Sequence, residues 1–126
     1  MKTSYFKYYT GDMGVAICLY PPIDWSGLQF PALAPSTSSF YDIKSEKIDK
    51  KEYEKRYREE ILAKLDAQQV HNMFKNNVLL CWEKSGEFCH RHIVSAWIKE
   101  QLNIEVPEWN IKDEQLLKSK NINPLF

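Results

Sequence analysis

The chain has 126 residues, of which 44% are hydrophobic, and this is enough for one domain with its own core. Lys plus Arg and Asp plus Glu number 17 each, so the formal net charge is zero. This balance excludes a global electrostatic field that would draw the chain to nucleic acid or to an anionic membrane. Any anion binding must therefore depend on a local group of side chains.

Neither a membrane-spanning run nor the apolar core of a signal peptide is found in the sequence, so we expect a cytoplasmic protein without membrane contact. Three cysteines, Cys18, Cys81 and Cys89, cannot all pair with one another. An odd count in a chain without a signal peptide favours reduced thiols over a disulfide framework. We therefore expect the thiols to be available for function.

The first half of the chain predicts one buried strand and then a long loop. Val15 to Leu19 is an apolar, β-branched run that should end as a strand before Pro21-Pro22. Tyr5 to Tyr9 alternates weakly, which suits an edge strand or an aromatic lid. Residues 23–43 are rich in proline and serine and predict a loop with at most a short helical turn. Its hydrophobic residues are expected to form a plug: Trp25, Leu28, Phe30 and Leu33.

Two helices and a second strand are predicted next. Asp49 is a suitable N-cap, and Glu52 three residues later completes a capping box for a helix that runs to about Leu65. A second helix should follow Asp66 and end near Phe74. The apolar run from Val78 to Trp82 then predicts a second strand.

The last long helix is predicted from about Phe88 to Leu102. Its core face is formed by Ile93, Val94, Trp97 and Ile98. Cys89 lies four residues before Ile93 and should face inward, whereas Arg91 and His92 should turn away. Residues 104–126 contain Pro107, an exposed-looking Trp109 and a short helical pattern, which indicates a C-terminal arm.

Apolar strands that alternate with helices predict an α/β fold. We expect a single three-layer domain with a largely parallel sheet over residues 1–103, and a helical C-terminal arm over residues 104–126 that packs on the same domain. Ligands bind such sheets at the carboxyl ends of the strands. The loop at Pro21-Pro22 and the loop from Lys84 to Glu87 leave from such ends, so they should meet at one crevice.

We expect Cys89, His90, Arg91 and His92 to lie at the edge of this crevice, where the last long helix begins. In one hypothesis Cys89 is a nucleophilic thiolate, favoured by the helix dipole and helped by His90 and Arg91. In a second, the helix N-terminus and Arg91 bind an anion, a phosphate, nucleotide or nucleic-acid group. The further residues expected to bind the ligand are His92, Glu83, Arg56, Pro21 and Trp25.

Two other interpretations remain open. Cys81, Cys89 and His92 have donor atoms suited to zinc or another transition metal, although paired C-x-x-C spacing is absent and the fourth ligand would have to be Glu83, Glu87 or His71. Alternatively, the two cysteines are small buried hydrophobes and the histidines only fix the loop. Arg91 then needs an internal carboxylate, for which Glu83 or Glu87 is available. We predict no organic cofactor and name no protein partner.

Five separated segments resemble domain-of-unknown-function family 488, and together they cover roughly residues 3–103. Members of this family typically carry a strand ending in Leu-Leu-Cys, followed by a helix start with the order Glu-Phe-Cys-His-Arg-His. The resemblance implies a small α/β protein with a site at this motif, but it implies no reaction. The matching segments are Thr3 to Phe6, Tyr20 to Pro22, Leu33 to Ser36, Tyr53 to Tyr57 and Cys81 to His92.

Overall fold

The computed structural model describes residues 1–83 and 88–120. Four strands form one sheet in which every pairing is parallel, with the order β1-β4-β2-β3. The predicted α/β domain with a parallel sheet is therefore confirmed. The strands are β1 (Lys2–Tyr5), β2 (Gly14–Ala16), β3 (Leu28–Gln29) and β4 (Val78–Cys81).

Three α-helices lie between β3 and β4, and two more follow β4 in the described chain. None of the helices in the described ranges is long and apolar enough to cross a membrane. The α-helices are α1 (Thr37–Lys44), α2 (Lys50–Glu60), α3 (Ala67–Phe74), α4 (His90–Leu102) and α5 (Ile111–Lys120), with short 3-10 turns at Pro31–Leu33 and Leu62–Lys64.

Hydrophobic residues cover both faces of the sheet. Successive side chains of a strand point to opposite faces of the sheet. In β4, Leu79 therefore lies on one face, and Val78 and Leu80 lie on the other. Leu79 belongs to the main core, which also contains residues of α2, α3 and α4. Val78 and Leu80 pack against Trp109 in a second, smaller cluster. The sheet is thus the middle layer between the helices and the aromatic segments from the two ends of the chain.

Local capping signals predicted α2 and α3 well. The Asp49 side chain accepts a hydrogen bond from the Glu52 amide at 2.8 Å, and Asp66 accepts one from the Gln69 amide at 3.0 Å. The helix α2 ends at Glu60 rather than near Leu65, because the following residues form a 3-10 turn.

The prediction of a long loop over residues 23–43 is wrong. This segment contains the short strand β3, a 3-10 turn and the start of α1. The serine-rich stretch is a helix start, since the Ser36 side chain accepts a hydrogen bond from the Ser39 amide at 3.2 Å. Leu33 is buried as expected of the plug, whereas Leu28 is 61% exposed.

The segment after α4 packs along the edge of the sheet. Thr3 of β1 forms a parallel bridge with Glu108, and the Trp109 amide donates to the Thr3 carbonyl at 2.8 Å. Trp109 is buried, which corrects the expectation that it is exposed, because its ring packs against Tyr8 and Tyr9. These contacts bring Glu108 close to the start of α4.

Candidate functional site

A cavity of about 280 Å³ lies where the carboxyl ends of β2 and β4 meet the start of α4. The two strands are neighbours in the sheet, so the residues that follow them lie side by side. The indole of Trp82 donates to the Tyr20 carbonyl at 2.7 Å and joins the two loops. The main lining residues are Cys18, Leu19, Phe40, Lys44, Tyr53, Cys81, Trp82, Glu83, Phe88, Cys89 and His90.

The Cys89 sulfur and the His90 imidazole lie side by side in this cavity. The Cys89 sulfur lies 3.7 Å from Nδ1 of His90, and Nε2 of His90 lies 2.7 Å from the Ile17 carbonyl oxygen. A carbonyl only accepts hydrogen bonds, so Nε2 carries the proton and Nδ1 presents its lone pair to the thiol. His90 is thus oriented as a proton acceptor for Cys89, with the end of β2 fixing its ring.

The side chain of His90 is buried, and this burial lowers its pKa from 6.5 to about 4. The imidazole is therefore neutral at neutral pH, as a proton acceptor must be. A thiolate formed beside it would raise the pKa of His90 again, because the opposite charge favours the imidazolium form. The pair can exchange one proton inside the cavity without a change of net charge.

Cys81 and Cys89 are in contact and form a disulfide in this structure, leaving Cys18 as the free cysteine. The expectation that all three cysteines are reduced is corrected here. The bend of the chain from β4 to α4 brings the two sulfurs together although eight residues separate them in sequence. Their Cα atoms are 7.6 Å apart, wider than the roughly 4.4–6.8 Å that most disulfides span.

Arg91 points inward rather than away from the core, which corrects a second expectation. Its side chain is completely buried, and its Nη2 lies 2.8 Å from Oε1 of Glu108. Its Nη1 donates to the Cys81 sulfur at 3.0 Å and also to the Glu83 carbonyl. Arg91 thus pairs with an internal carboxylate, as one interpretation of the sequence expected, but this carboxylate belongs to Glu108 and not to Glu83. This pairing leaves no exposed guanidinium surface for an external anion.

The other predicted ligand-binding residues are spread over the domain. Arg56 pairs with Asp42 at 2.9 Å and with Glu52 at 3.3 Å, so it joins α1 to α2. The Trp25 indole donates to the Leu28 carbonyl at 3.0 Å. Among the described residues, neither these two nor Pro21 and His92 line the cavity. Glu83 does line it, with its carboxylate 3.5 Å from Lys44.

A group of potential metal-binding atoms is present, but its third member differs from the predicted one. Donor atoms of Cys81, Cys89 and His90 all lie within 4.8 Å of one another. His92 was expected because it is three residues after Cys89. Cys89, however, is the N-cap with extended backbone angles, so the helical spacing does not apply to it. Glu87, one of the possible fourth ligands, and the Lys84 to Glu87 loop lie outside the described residues.

Two further side chains of the cavity are affected by burial. Burial raises the pKa of the Cys18 thiol to about 11. It also raises the pKa of Tyr53, with a smaller contribution from the Glu83 charge. Both groups therefore stay protonated at neutral pH. Cys18 shares the cavity with Cys89 but lacks the conditions that make a thiol reactive.

Sequence reasoning missed several residues that build this site. Glu108 and Thr3 are two of them: the pairing of β1 with the segment after Pro107 brings Glu108 to Arg91, and the Thr3 hydroxyl donates to the Glu108 carboxylate. Tyr53 was predicted as core and proves to line the cavity as well. One signal could have indicated the Ile17 carbonyl as part of the site: Ile17 lies toward the carboxyl end of a predicted strand, where ligands bind in such sheets.

Comparison with known protein families identifies a match over most of the central part of the chain. Residues 19–102, two thirds of the chain, match the family model DUF488-N3a, described as the active DUF488-N3 subclade. No curated protein and no solved structure matches the chain. The matched segment contains every residue that lines the cavity except Cys18, and it ends before Glu108.

Proposed function

The chain belongs to the DUF488-N3a family, and we propose that it is an enzyme whose nucleophile is the thiol of Cys89. The observation that carries this proposal is the orientation of His90, whose Nδ1 faces the Cys89 sulfur at 3.7 Å while Nε2 is held by the Ile17 carbonyl. A nucleophile, a base and a group that orients the base are the three parts of activated cysteine sites. The matched family is described as an active subclade, and this description supports the proposal of an enzyme.

The position of Cys89 adds to this activation. It is the N-cap of α4, and its side chain makes no capping hydrogen bond. A helix N-terminus favours negative charge, so a thiolate is stabilised there. His90 accepts the thiol proton when the substrate binds and returns it to the leaving group. Arg91 is not assigned to an external anion, because Glu108 already neutralises it.

The cavity limits the size of the substrate. Its volume of about 280 Å³ lies just below the roughly 300–1,000 Å³ found for ligand pockets. Phe40, Trp82 and Phe88 supply apolar walls, and the charged lining residues are Lys44, Glu46 and Glu83. A small molecule, or one group of a larger one, therefore fits beside Cys89. A reducing cytoplasmic compartment, which we propose as the location, would keep this thiol available.

The test of this function compares the alkylation of Cys89 by iodoacetamide in two histidine variants of the reduced protein. His90→Gln keeps an N–H donor near the Ile17 carbonyl and removes the ring nitrogen that faces Cys89. We expect it to slow the labelling of Cys89 at pH 7 by about tenfold or more, in line with the loss of a general base. Labelling is followed by mass spectrometry of the peptide that contains Cys89.

His71→Gln is the matched control, because His71 lies on α3 outside the cavity lining. This variant should label as fast as the unchanged protein. If His90→Gln also labels at the unchanged rate, His90 does not activate Cys89 and the proposed function fails. The Cys89 peptide is measured alone, so slow labelling of Cys18 does not affect the result.

A second candidate function is a transition-metal site, favoured by the donor atoms of Cys81, Cys89 and His90 that lie within 4.8 Å of one another. Two thiolates and one imidazole suit zinc, and a fourth position would be left for water or substrate. Elemental analysis of protein purified without chelator tests it. One equivalent of metal that is lost in Cys89→Ala supports this function, and metal-free protein excludes it.

A further inference from the structure

We infer that Cys81 is a resolving thiol, which makes the cavity a two-electron redox site that reduces low-molecular-weight disulfides. This inference rests on the proposed function, since it takes Cys89 as the nucleophile and adds a second thiol and a substrate class. Three features of the described residues carry it: the contact between the two sulfurs, the partner of each sulfur, and the burial of the pair.

The two sulfurs already occupy the positions that a resolving reaction needs. Cys81 ends β4 and Cys89 precedes α4, and their sulfurs are in direct contact. An adduct formed on the Cys89 sulfur would therefore lie within reach of Cys81 without unfolding of either element. Few pairs of cysteines in a chain without a disulfide framework lie this close, unless they are catalytic, redox-sensing or metal-binding.

Each sulfur has a different partner, and this difference assigns the roles. Cys89 faces the proton acceptor His90, whereas Cys81 accepts a hydrogen bond from Arg91 at 3.0 Å. A guanidinium group stabilises the thiolate form of Cys81 when its proton leaves. Cys81 and Cys89 are only 1% and 3% exposed. Both cysteines line the cavity together with Phe88 and Tyr53, so a substrate sulfur in the cavity would lie beside the pair.

The reaction has two steps. The Cys89 thiolate attacks one sulfur of the substrate, so a Cys89–substrate disulfide forms, the substrate S–S bond breaks, and the leaving sulfur takes the electron pair and the proton held by His90. Cys81 then attacks the Cys89 sulfur, which forms the Cys81–Cys89 disulfide and releases the second substrate sulfur. That sulfur takes the proton lost by Cys81.

Electrons balance in this scheme. The substrate disulfide gains two electrons and two protons and becomes two thiols, while the pair of cysteines loses the same number. An external dithiol, small or protein-bound, must then reduce the Cys81–Cys89 bond for another turnover. The disulfide in the structure is the oxidised state of this cycle.

The test uses 5,5′-dithiobis(2-nitrobenzoate), a small aromatic disulfide whose leaving thiolate is coloured. The reduced 126-residue chain carries Cys18→Ser, so that only Cys81 and Cys89 can react. We expect about two equivalents of coloured thiolate and a product that is lighter by two hydrogens and carries no added group. Peptide mapping should show Cys81 joined to Cys89.

Cys81→Ala in the same background supplies the contrast. It should release about one equivalent and keep a stable nitrobenzoate adduct on Cys89. If the Cys18→Ser protein keeps that adduct as long as the Cys81→Ala variant does, Cys81 does not resolve it and the inference is overturned, while the nucleophilic role of Cys89 stands. If Cys89 takes no adduct in either protein, both the inference and the proposed function fail. The product of the Cys18→Ser protein decides the matter even if the Cys81 variant does not fold.

Discussion

Replacing Arg91 by methionine is expected to lower the free energy of unfolding by about 3 kcal/mol, because it removes the buried guanidinium that neutralises the Glu108 carboxylate. The guanidinium is completely buried and uses its nitrogens on Glu108, the Cys81 sulfur and the Glu83 carbonyl. Removing one member of a buried pair typically costs about 3–5 kcal/mol. The lower end of this range applies, since the Glu108 side chain is 30% exposed and water can partly solvate it. Chemical denaturation of both proteins at pH 7 measures the change.

Lys99→Met is the matched control for this experiment. Lys99 lies on the same helix and pairs with Glu105 at 2.7 Å, but the two side chains are 46% and 79% exposed. Exposed pairs of this kind contribute about 0–1 kcal/mol. If Arg91→Met and Lys99→Met lower the free energy of unfolding by the same small amount, the buried pair of Arg91 and Glu108 does not stabilise the start of α4.

Acid is expected to destabilise the protein partly through His90. Burial lowers the pKa of His90 in the folded chain to about 4, below its ordinary value of 6.5. The unfolded chain then binds more protons between these two values, so stability rises with pH across that window. The contribution of neutral His90 is complete above pH 6.5 and is lost as the pH falls toward 4. A shift of this size corresponds to about 3 kcal/mol.

The variant His90→Gln isolates this contribution, because glutamine does not titrate. Free energies of unfolding are measured by denaturant titration at several pH values from about 7 to 4. We expect the unchanged protein to lose about 3 kcal/mol more than the variant over this range, after the common loss from carboxylates is subtracted. Equal losses in the two proteins would show that His90 is not buried in its neutral form.

Local signals in the sequence accounted for much of the fold. The N-caps Asp49 and Asp66 predicted α2 and α3, and the apolar runs predicted β2 and β4. The core face of α4 also followed from its periodicity. Each of these features depends on residues within about one or two turns of one another, which is the range at which composition and spacing are informative.

The segment from residue 23 to residue 43 shows where such reasoning stops. Proline and serine are turn signals as well as helix-start signals, and Ser36 acts as an N-cap here. The strand β3 has only two residues and both are exposed, so no buried pattern marks it. Its pairing with β2 decides its conformation, and a sequence does not display that pairing directly.

The candidate site was predicted in position but not in its connections. Cys89 and His90 were expected at the start of α4, and the structure places them in a cavity there. Arg91 was expected to face outward because its neighbours in the helix set the core stripe. Its inward direction depends on Glu108, a partner 17 residues away that only the bridge to β1 brings into place. Long-range pairs of this kind leave no periodic trace in the sequence.

Activation of Cys89 is the central claim, and the pH dependence of its alkylation tests it most directly. The rate of iodoacetamide labelling of the Cys89 peptide, in fully reduced protein, should rise with an apparent pKa at least about one unit below the value of roughly 8.5 for a free cysteine. This result would show that the helix N-terminus and His90 together favour the thiolate. An apparent pKa at or above that of a free cysteine would contradict the claim, because burial would then outweigh both.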